Sequence, residues 1–345
     1  MLNRPIFIII DVRENSWRDG ASLEHADLET LSSQVPGILF HARAENTTKS
    51  YHAAFSKWID WAAAYPEIKV LPAQPVHIVL YLTHLAHSVK SFSSISQFTC
   101  AVSWMHSTHG FNSPIKTPIV AEVINGLKRL LAGPVSPKEP FTPNDIKRIF
   151  TDTNKSSLTE LRNTAMITIA YFAFLRVDEL LHIKLNDLTV FKDHLQINIP
   201  KAKTDQLRQG TTVVIAKGTN DQCPVELLML YVKTAKIALK GADNNYLFCR
   251  IIFKKGKLSL FEPSKCMSYS NVRDIVKSTA EKLGLDPRQY ATHSMRSGGA
   301  TAAAGAGVSE RVMQKHGRWA CATSKDRYVK DDIEKRLKIS QKLME

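Results

Sequence analysis

The first third of the chain places apolar residues at the spacing of α-helices. One face of the segment "NTTKSYHAAFSKWIDWAAAY" carries five of them: Tyr51, Phe55, Trp58, Ile59 and Ala62. This helix is expected to begin at a threonine cap, Thr47 or Thr48. The segments "VHIVLYLTHLAHSV", "SISQFTCAVSWMHSTHG" and "IVAEVINGLKRLLAG" also predict helices. We therefore predict a compact helical bundle over residues 27–133, preceded by an extension, residues 1–26, to which the pattern assigns no role.

A proline-rich segment follows this bundle. Four prolines fall within "PVSPKEPFTP": Pro134, Pro137, Pro140 and Pro143. Such a run cannot be helical and favours an extended, semi-stiff connection. Thr142 followed by proline is typical of the start of a new helix. We predict a linker at 134–142 and a second domain over 143–345.

The second half of the chain mixes helical and strand patterns. The segment "LRNTAMITIAYFAFLR" is apolar nearly all round, which predicts a core helix. "HLQINIP" and "GTTVVIAKG" predict two strands of a hairpin, separated by the polar "KAKTDQLRQ". "PVELLMLYVKTAKIAL", "SNVRDIVKSTAEKLGL" and the segments after His293 predict helices. The expected fold is mainly α with a small antiparallel β-sheet.

The charge of the chain points to a polyanionic partner. Lys and Arg total 46 against 32 Asp and Glu, a net charge of +14. Nucleic acid is the usual partner of so basic a protein, and an ordinary basic enzyme is the alternative. The candidate phosphate contacts are Lys128 and Arg129 on a predicted helix, and Lys201 and Arg208 near the predicted hairpin turn. Each could instead be a plain solvated charge.

Cysteine usage and hydropathy exclude several protein classes. The five cysteines are dispersed without a CxxC pair, which is typical of reduced thiols in an intracellular protein. No set of Cys and His has zinc spacing. No apolar run approaches the roughly 20 residues of a membrane span, and the N-terminus lacks a secretory cleavage site.

The last quarter of the chain contains the residues best suited to chemistry. His293 and Arg296 are spaced so that one helix face presents both side chains. An imidazole shuttles protons near neutral pH, and a guanidinium holds two phosphate oxygens at once. Trp319 offers an indole N–H, and Tyr328 offers a phenol that becomes a nucleophile if its developing charge is stabilised. Taken singly, each is also compatible with packing, capping or solvation.

Two upstream positions complete the candidate set. Arg176 closes the apolar helix in "FLRVDELLHI", where it is either a surface residue or a phosphate clamp. Glu179, one helical turn later, could hold the Arg176 guanidinium by an ion pair. Lys203 lies in the predicted hairpin turn, where a mobile lysine could donate a proton to a leaving oxygen. Lys201 is an equally basic neighbour.

Together these residues resemble the tyrosine recombinase (phage integrase) family over roughly residues 30–340. The segments "LRVDEL", "KTDQLRQG" and "HSMRSGGAT" look like that family's first-arginine, hairpin-lysine and HxxR segments, which selects Lys203 over Lys201. Trp319 stands where many members carry a histidine. Similar "GRW" segments occur in enzymes of DIRS-type and crypton mobile elements, so a mobile-element origin is expected.

The resemblance implies a helical core-binding (SAM-like) domain and a catalytic domain that clamp duplex DNA. It implies that Tyr328 attacks a DNA phosphate and forms a 3′-phosphotyrosine, with Lys203 as general acid. The phosphate would be held by Arg176, Arg296, His293 and Trp319. It further implies a homotetramer on DNA, with no metal, small-molecule cofactor or membrane involved. We expect an intracellular protein, nuclear in a eukaryotic host and cytoplasmic in a bacterial one.

Two other functions are compatible with the sequence. A type IB topoisomerase-like enzyme would use the same chemistry as a monomer. A domesticated DNA-binding protein would bind DNA without cutting it. Covalent attachment of DNA to Tyr328 separates the second of these from the first.

Overall fold

The protein was analysed as a computed structural model that describes residues 25–133, 137–200, 210–238, 245–254, 257–330 and 333–344. The chain forms two compact units, 1–135 and 136–345, so the division falls inside the proline-rich segment. Lys201, Lys203 and Arg208 lie outside the described residues, as does most of the 1–26 extension. No helix within the described ranges is long and apolar enough to cross a membrane.

The described part of the first unit is helical. Its elements are α1 (Ala26–His41), α2 (Glu45–Ala62), α3 (Pro75–Ser88), α4 (Phe92–Thr108) and α5 (Pro118–Leu130), with a 3-10 turn at Pro114–Lys116. The expected threonine cap is wrong. The cap position is Ala44, three residues before Thr47, so the helix begins at Glu45 and Thr48 is buried inside it. An acidic residue in the first turn suits the helix dipole and makes the earlier start favourable.

An aromatic cluster forms the core of the first unit. Trp58, from α2, is fully buried and meets Tyr81, from α3, edge-on at a ring-centroid distance of 5.2 Å. Tyr81 in turn contacts Phe98, from α4, at 4.6 Å. Tilted and edge-on pairs of this kind are the favoured geometries of aromatic rings. The helical periodicity of the sequence therefore marks the faces that meet in the core.

The second unit combines helices with two small antiparallel sheets. Its helices are α6 (Pro143–Asp152), α7 (Leu158–Phe172), α8 (Val177–Leu181), α9 (Pro224–Thr234), α10 (Tyr269–Lys282), α11 (His293–Gly305), α12 (Glu310–Gly317), α13 (Ala322–Asp326) and α14 (Ile333–Met344). Its strands are β1 (Leu188–Val190), β2 (His194–Ile199), β3 (Thr211–Ala216), β4 (Arg250–Lys254) and β5 (Lys257–Phe261). The prediction of a mainly α fold with a small antiparallel sheet is confirmed.

The predicted hairpin is the centre of the first sheet. β2 pairs with β3 in antiparallel register, with Leu195 opposite Ile215 and Ile197 opposite Val213, and β1 pairs with the other edge of β2. These four residues are buried, because alternate side chains of a strand point to one face. The sequence reading missed β1 and the separate β4–β5 pair.

Helix α7 runs through the core of the second unit and delivers the segment that follows it. Its residues from Thr164 to Tyr171 are all buried. The proline-rich segment then packs on this unit: Phe141 is fully buried, and its N–H donates to Ser294 O at 3.1 Å. Thr142 forms a capping box with Asp145, the start of α6 that the sequence predicts.

Candidate active site

Six of the sequence-predicted site residues lie together in the second unit. They come from the turn after α7 (Arg176), from α8 (Glu179), from the first turn of α11 (His293 and Arg296), and from the segments around α13 (Trp319 and Tyr328). Lys203 and Lys201 belong to the β2–β3 connection, whose described part does not include them. Lys128 and Arg129 are exposed near the end of α5 in the first unit.

Glu179 is the carboxylate around which the arginines are arranged. Its side chain is only 2% exposed, and its Oε1 accepts from Arg176 Nη1 at 2.7 Å. Its Oε2 accepts from the backbone N of Arg176 at 2.9 Å and from Arg318 Nη2 at 2.8 Å. Burial opposes ionisation of Glu179, but Arg318 and the two donors of Arg176 hold its pKa below the usual range. The carboxylate therefore fixes both guanidinium groups.

Arg296 is a buried cation that contacts two aromatic rings. Its side chain is fully buried, and its Cζ lies 4.5 Å from the Trp319 ring centroid and 4.8 Å from that of Tyr328. Its terminal nitrogens donate to Phe174 O and to Gly317 O. Its Nε has no hydrogen-bond partner among the described residues. Burial first, and the neighbouring Arg176 charge second, lower the pKa of Arg296.

The rings of Trp319 and Tyr328 pack against each other at an interplanar angle of 40°. Their ring centroids are 5.5 Å apart, and the Tyr328 ring is 5.8 Å from that of His293, which is exposed. The indole Nε1 of Trp319 is buried and has no hydrogen-bond partner within the described part of the chain. A phenol, an imidazole, an indole donor and guanidinium groups are thus within one small volume. These are the groups that stabilise charge on a phosphate oxygen.

Hydroxyl groups of α11 hold the backbone of Tyr328. Its carbonyl oxygen accepts from Ser297 Oγ at 2.6 Å and from Thr301 Oγ1 at 3.3 Å. Thr301 Oγ1 also accepts from the backbone N of Lys330 at 3.0 Å. The Lys330 ammonium pairs with Glu139 at 2.5 Å. The same helix that carries His293 and Arg296 therefore fixes the candidate nucleophile.

Arg318 is the site residue that sequence reasoning missed. It ends α12 in the left-handed conformation, with φ 55°, and its side chain is 3% exposed. The sequence offers only its place in "HGRWA" as a signal, and a surface arginine has the same local appearance. Gly317 before it is required for space, because a Cβ there would collide with the Trp319 ring.

His316 is held by the backbone and by a neighbouring aromatic ring. Its Nε2 lies 2.8 Å from Phe172 O, and its ring meets Phe174 edge-on at 4.6 Å. Burial lowers its pKa, so the neutral form is favoured. No group of three or more Asp, Glu, His or Cys side chains that could hold a metal ion is found among the residues described.

Comparison with known proteins identifies the class to which this chain belongs. Residues 139–335 match the model of the phage integrase family. The chain belongs to this family, the tyrosine recombinases, which are DNA breaking-rejoining enzymes. It is similar to an "Integrase/recombinase xerD homolog" of Selenomonas ruminantium, with 28% identity over 305 residues, covering 87% of this chain and 86% of the relative. It is also similar to "Recombinase cre" of Escherichia phage P1, with 23% identity over 302 residues, covering 84% and 85% of the two chains.

Solved structures share the fold. The XerH site-specific recombinase bound to palindromic difH substrate covers 99% of this chain and 89% of its own, with TM-score 0.58 and 16% identity. A lambda integrase dimer bound to a COC' core site covers 96% and 82%, with TM-score 0.55 and 15% identity. The Tn1549 transposon integrase in complex with transposon right end DNA covers 98% and 99%, with TM-score 0.53 and 12% identity.

Proposed function

We propose that this chain is a site-specific DNA recombinase that cuts and rejoins duplex DNA through a 3′-phosphotyrosine at Tyr328. The observation that carries the proposal is the contact of the Arg296 guanidinium with the rings of Trp319 and Tyr328, with His293 beside Tyr328. Family membership and the DNA-bound solved structures of the same fold support the proposal.

Cleavage begins when the Tyr328 oxygen attacks the scissile phosphorus and the bond to the 5′ oxygen breaks. His293 accepts the phenol proton, and Lys203 donates a proton to the leaving 5′ oxygen. Arg176, Arg296 and the Trp319 indole stabilise the charge that develops on the non-bridging oxygens. Rejoining is the reverse step, in which a 5′-hydroxyl attacks the phosphotyrosine. The covalent bond conserves the phosphodiester energy, so no metal or nucleotide takes part.

Burial of Arg296 adds a condition to this mechanism. Its guanidinium is covered by the rings of Trp319 and Tyr328. A phosphate contacts this guanidinium only after the Tyr328 ring has moved off it. The same movement carries the phenol from the arginine to the phosphorus. Binding of the phosphate and presentation of the nucleophile are therefore one event.

The partner of the enzyme is duplex DNA, bound by both units. The net charge of +14 supports a polyanionic partner, and the exposed Lys128 and Arg129 are our candidate phosphate contacts in the first unit. Lys201 and Arg208 are the corresponding candidates in the second unit. The five free thiols support an intracellular protein.

We further propose that four protomers assemble on DNA and that α14 docks on a neighbouring protomer. The support is the exposure of its apolar side chains Leu337, Ile339 and Leu343, which are 53%, 66% and 83% exposed. Large apolar side chains with this much exposure are candidates for a contact surface. Deletion of residues 333–345 should leave DNA binding intact and prevent tetramer assembly, measured by analytical ultracentrifugation with DNA. Tetramers of the truncated protein on DNA would remove this part of the proposal.

The cleavage proposal is tested by trapping the covalent intermediate. The Tyr328→Phe protein is first used to select a binding site from a random duplex pool. Nicked suicide duplexes carrying that site are then incubated with wild type and Tyr328→Phe in EDTA and separated on denaturing gels. We expect a protein–DNA adduct on the 5′-labelled strand with wild type and none with Tyr328→Phe.

Other results assign other functions. Tight, salt-sensitive binding of the selected site without any adduct would identify a DNA-binding protein that no longer cuts. An adduct together with relaxation of supercoiled DNA by monomers, and no recombinant product, would identify a topoisomerase-like enzyme. Adduct formation that stops in EDTA would exclude the metal-independent mechanism.

A further inference from the structure

Arg318 occupies a backbone conformation that disfavours any residue with a side chain. It lies at φ 55° and ψ 42° directly after α12. Helices that end in this conformation usually carry glycine there, because a Cβ crowds the following carbonyl. Here the preceding residue, Gly317, is the glycine, and the left-handed position holds a buried arginine. The contacts of that side chain must offset the unfavourable backbone.

The Arg318 guanidinium bridges two segments of the site. Its Nη2 donates to Glu179 Oε2 at 2.8 Å and to Phe174 O at 2.9 Å. Its Nη1 donates to His316 O at 2.7 Å. Phe174 belongs to the turn that delivers Arg176, whereas Arg318 itself begins the turn that delivers Trp319. One planar fork thus holds the two turns at a fixed separation.

Phe174 is the second strained residue at this junction. It too has a left-handed backbone, with φ 47°, although it is a buried aromatic residue. Its carbonyl oxygen accepts from both Arg296 and Arg318. The two left-handed residues are far apart in sequence, and the Arg318 side chain donates to the Phe174 carbonyl. This indicates a turn at Phe174 whose shape is imposed by tertiary contacts. That shape sets the position of Arg176 and the acceptor of Arg296.

Arg318 differs from Arg176 in what it can reach. Arg176 is 13% exposed and can turn towards a bound phosphate, whereas Arg318 is 3% exposed with its terminal nitrogens directed at protein acceptors. When Arg176 turns away, Glu179 would lose a donor in a buried environment, where an unpaired carboxylate is costly. Arg318 would then still pair with Glu179, from which it lies 2.8 Å away.

We propose that Arg318 is a positioning residue for strand cleavage. Its guanidinium holds Glu179, and through Glu179 the Arg176 guanidinium, and it holds the turn that presents the Trp319 indole. Arg318 itself does not touch the phosphate. This inference rests on the proposed cleavage activity.

The test compares Arg318→Gly, Arg318→Lys and the control Arg311→Ala in the full chain. Glycine removes the fork and relieves the left-handed backbone, so the variant is expected to fold. Lysine keeps a charge but loses the planar fork. Arg311 lies exposed on α12, so its removal tests the loss of one positive charge alone. Single-turnover cleavage of the selected suicide duplex is measured at saturating DNA, with affinity measured in the Tyr328→Phe background.

We expect Arg318→Gly to lose about 100-fold in cleavage rate, the scale of a small misplacement of reacting groups, with DNA affinity within about twofold of wild type. The cleavage rate of Arg318→Lys should lie between those of Arg318→Gly and wild type, and Arg311→Ala should cleave like wild type.

The pH dependence of the cleavage rate gives a second readout. Glu179 faces Arg176, Arg318 and Arg296, at 4.0 Å from the last. Loss of the Arg318 charge raises the pKa of Glu179, so the acid limb of the rate profile should move to higher pH. His293 is present in all the variants, so its titration does not account for a difference between them.

The outcomes separate this inference from the proposed function. If wild type forms no adduct, the cleavage proposal fails and the role of Arg318 falls with it. If wild type cleaves and Arg318→Gly cleaves equally fast, the positioning role is wrong. A rate that falls only in proportion to the folded fraction, with an unmoved acid limb, would assign Arg318 a structural role alone. If Arg318→Gly does not fold, Arg318→Lys decides by the same two readouts.

Discussion

Arg296 carries a positive charge in a fully buried position, where burial disfavours the charged form. An unpaired buried cation is costly, yet this guanidinium is fully buried and its nearest carboxylate oxygen, on Glu179, is 4.0 Å away. Carbonyl oxygens and the faces of two aromatic rings compensate in part. With Arg176 and Arg318 close by, three guanidinium groups share one carboxylate. The site carries excess positive charge that a phosphate anion would neutralise.

The role of the Trp319 indole can be tested by a single substitution. Trp319→Phe keeps a ring over Arg296 but removes the Nε1 donor, which has no partner within the described residues. Removing one transition-state donor should lower the single-turnover cleavage rate by roughly 10²-fold. Trp319→His keeps an N–H donor and should retain more activity. Equal rates for the phenylalanine variant and wild type would show that the indole only packs.

Single residues also mark the limit of sequence reading. The resemblance to the tyrosine recombinase pattern brought Arg176, Glu179, His293, Arg296, Trp319 and Tyr328 into one candidate set. Arg318 could not be found in the same way, because its role comes from a left-handed backbone and from acceptors far away in sequence. Glycine is the usual residue in the left-handed position at a helix end, but here that position is taken by Arg318 and not by Gly317. The Trp319 ring instead takes the space beside that glycine, and the backbone reverses one residue later.

At the scale of elements, close packing of α11 on α7 builds the site. A Cβ at Gly299 would collide with the backbone oxygen of Tyr171 and with the Phe174 ring, and one at Gly298 would collide with Phe141. The two glycines let the helix that carries Arg296 approach the turn that carries Arg176. If larger side chains replaced the two glycines, α11 and α7 would lie farther apart, and Arg296 would be separated from Arg176.

Gly299→Ala should therefore destabilise the protein. Overpacking against backbone atoms costs about 1–3 kcal/mol of unfolding free energy. Gly305→Ala, in the same helix, is the matched control, because a Cβ there meets nothing within 4 Å. The control should be neutral or stabilising by up to about 1 kcal/mol. Chemical denaturation of both variants measures the difference, and equal stabilities would contradict the close approach.

A buried histidine gives the first unit a pH-dependent stability. His106 Nε2 accepts from the Ala73 N–H at 2.9 Å, and its Nδ1 lies 2.8 Å from Val102 O, so the neutral ring satisfies both contacts. Burial lowers the pKa of His106, and the nearby His109 lowers it further. Below about pH 6.5, His106 is protonated in the unfolded chain but stays neutral in the folded chain until the pH reaches its lowered pKa. The contribution of neutral His106 to the free energy of unfolding is therefore present above about pH 6.5 and is lost as the pH falls through the lowered pKa.

Thermal melts between pH 7.5 and 5 test whether His106 causes this pH dependence. His106→Gln should melt lower than wild type at pH 7.5 and show a flatter dependence on pH. The exposed His87, replaced by Gln in α3, is the matched control and should melt with the wild-type slope. An unchanged slope in His106→Gln would assign the acid sensitivity to other groups.

Elements were predictable where one local pattern dominates. Alternation predicts the β2–β3 hairpin, and Thr142 before proline predicts the start of α6. β4 was missed because "RIIFK" has three adjacent apolar residues and does not alternate. The alternation in β5, "KLSLF", extends over only five residues and was overlooked. The threonine cap of α2 was wrong because Glu45 allows an earlier start.

At the scale of the whole molecule, the net charge sets how the protein meets DNA. A charge of +14 implies many phosphate contacts and release of counterions on binding. The logarithm of the DNA affinity should fall linearly with that of salt concentration, by about 0.9 per phosphate contacted. Replacing Lys128 and Arg129 together by alanine should reduce this slope by nearly 2. Fluorescence anisotropy with duplex DNA measures the slope, and an unchanged value would remove these two residues from the interface.

The identity of the residue that joins DNA tests the central claim most directly. The adduct formed on the selected suicide duplex is digested with nuclease and protease, and the modified peptide is sequenced by mass spectrometry. We predict a nucleotide 3′-phosphate attached to the Tyr328 oxygen in wild type. Attachment at another residue, or an adduct that persists in Tyr328→Phe, would contradict the assignment of the site.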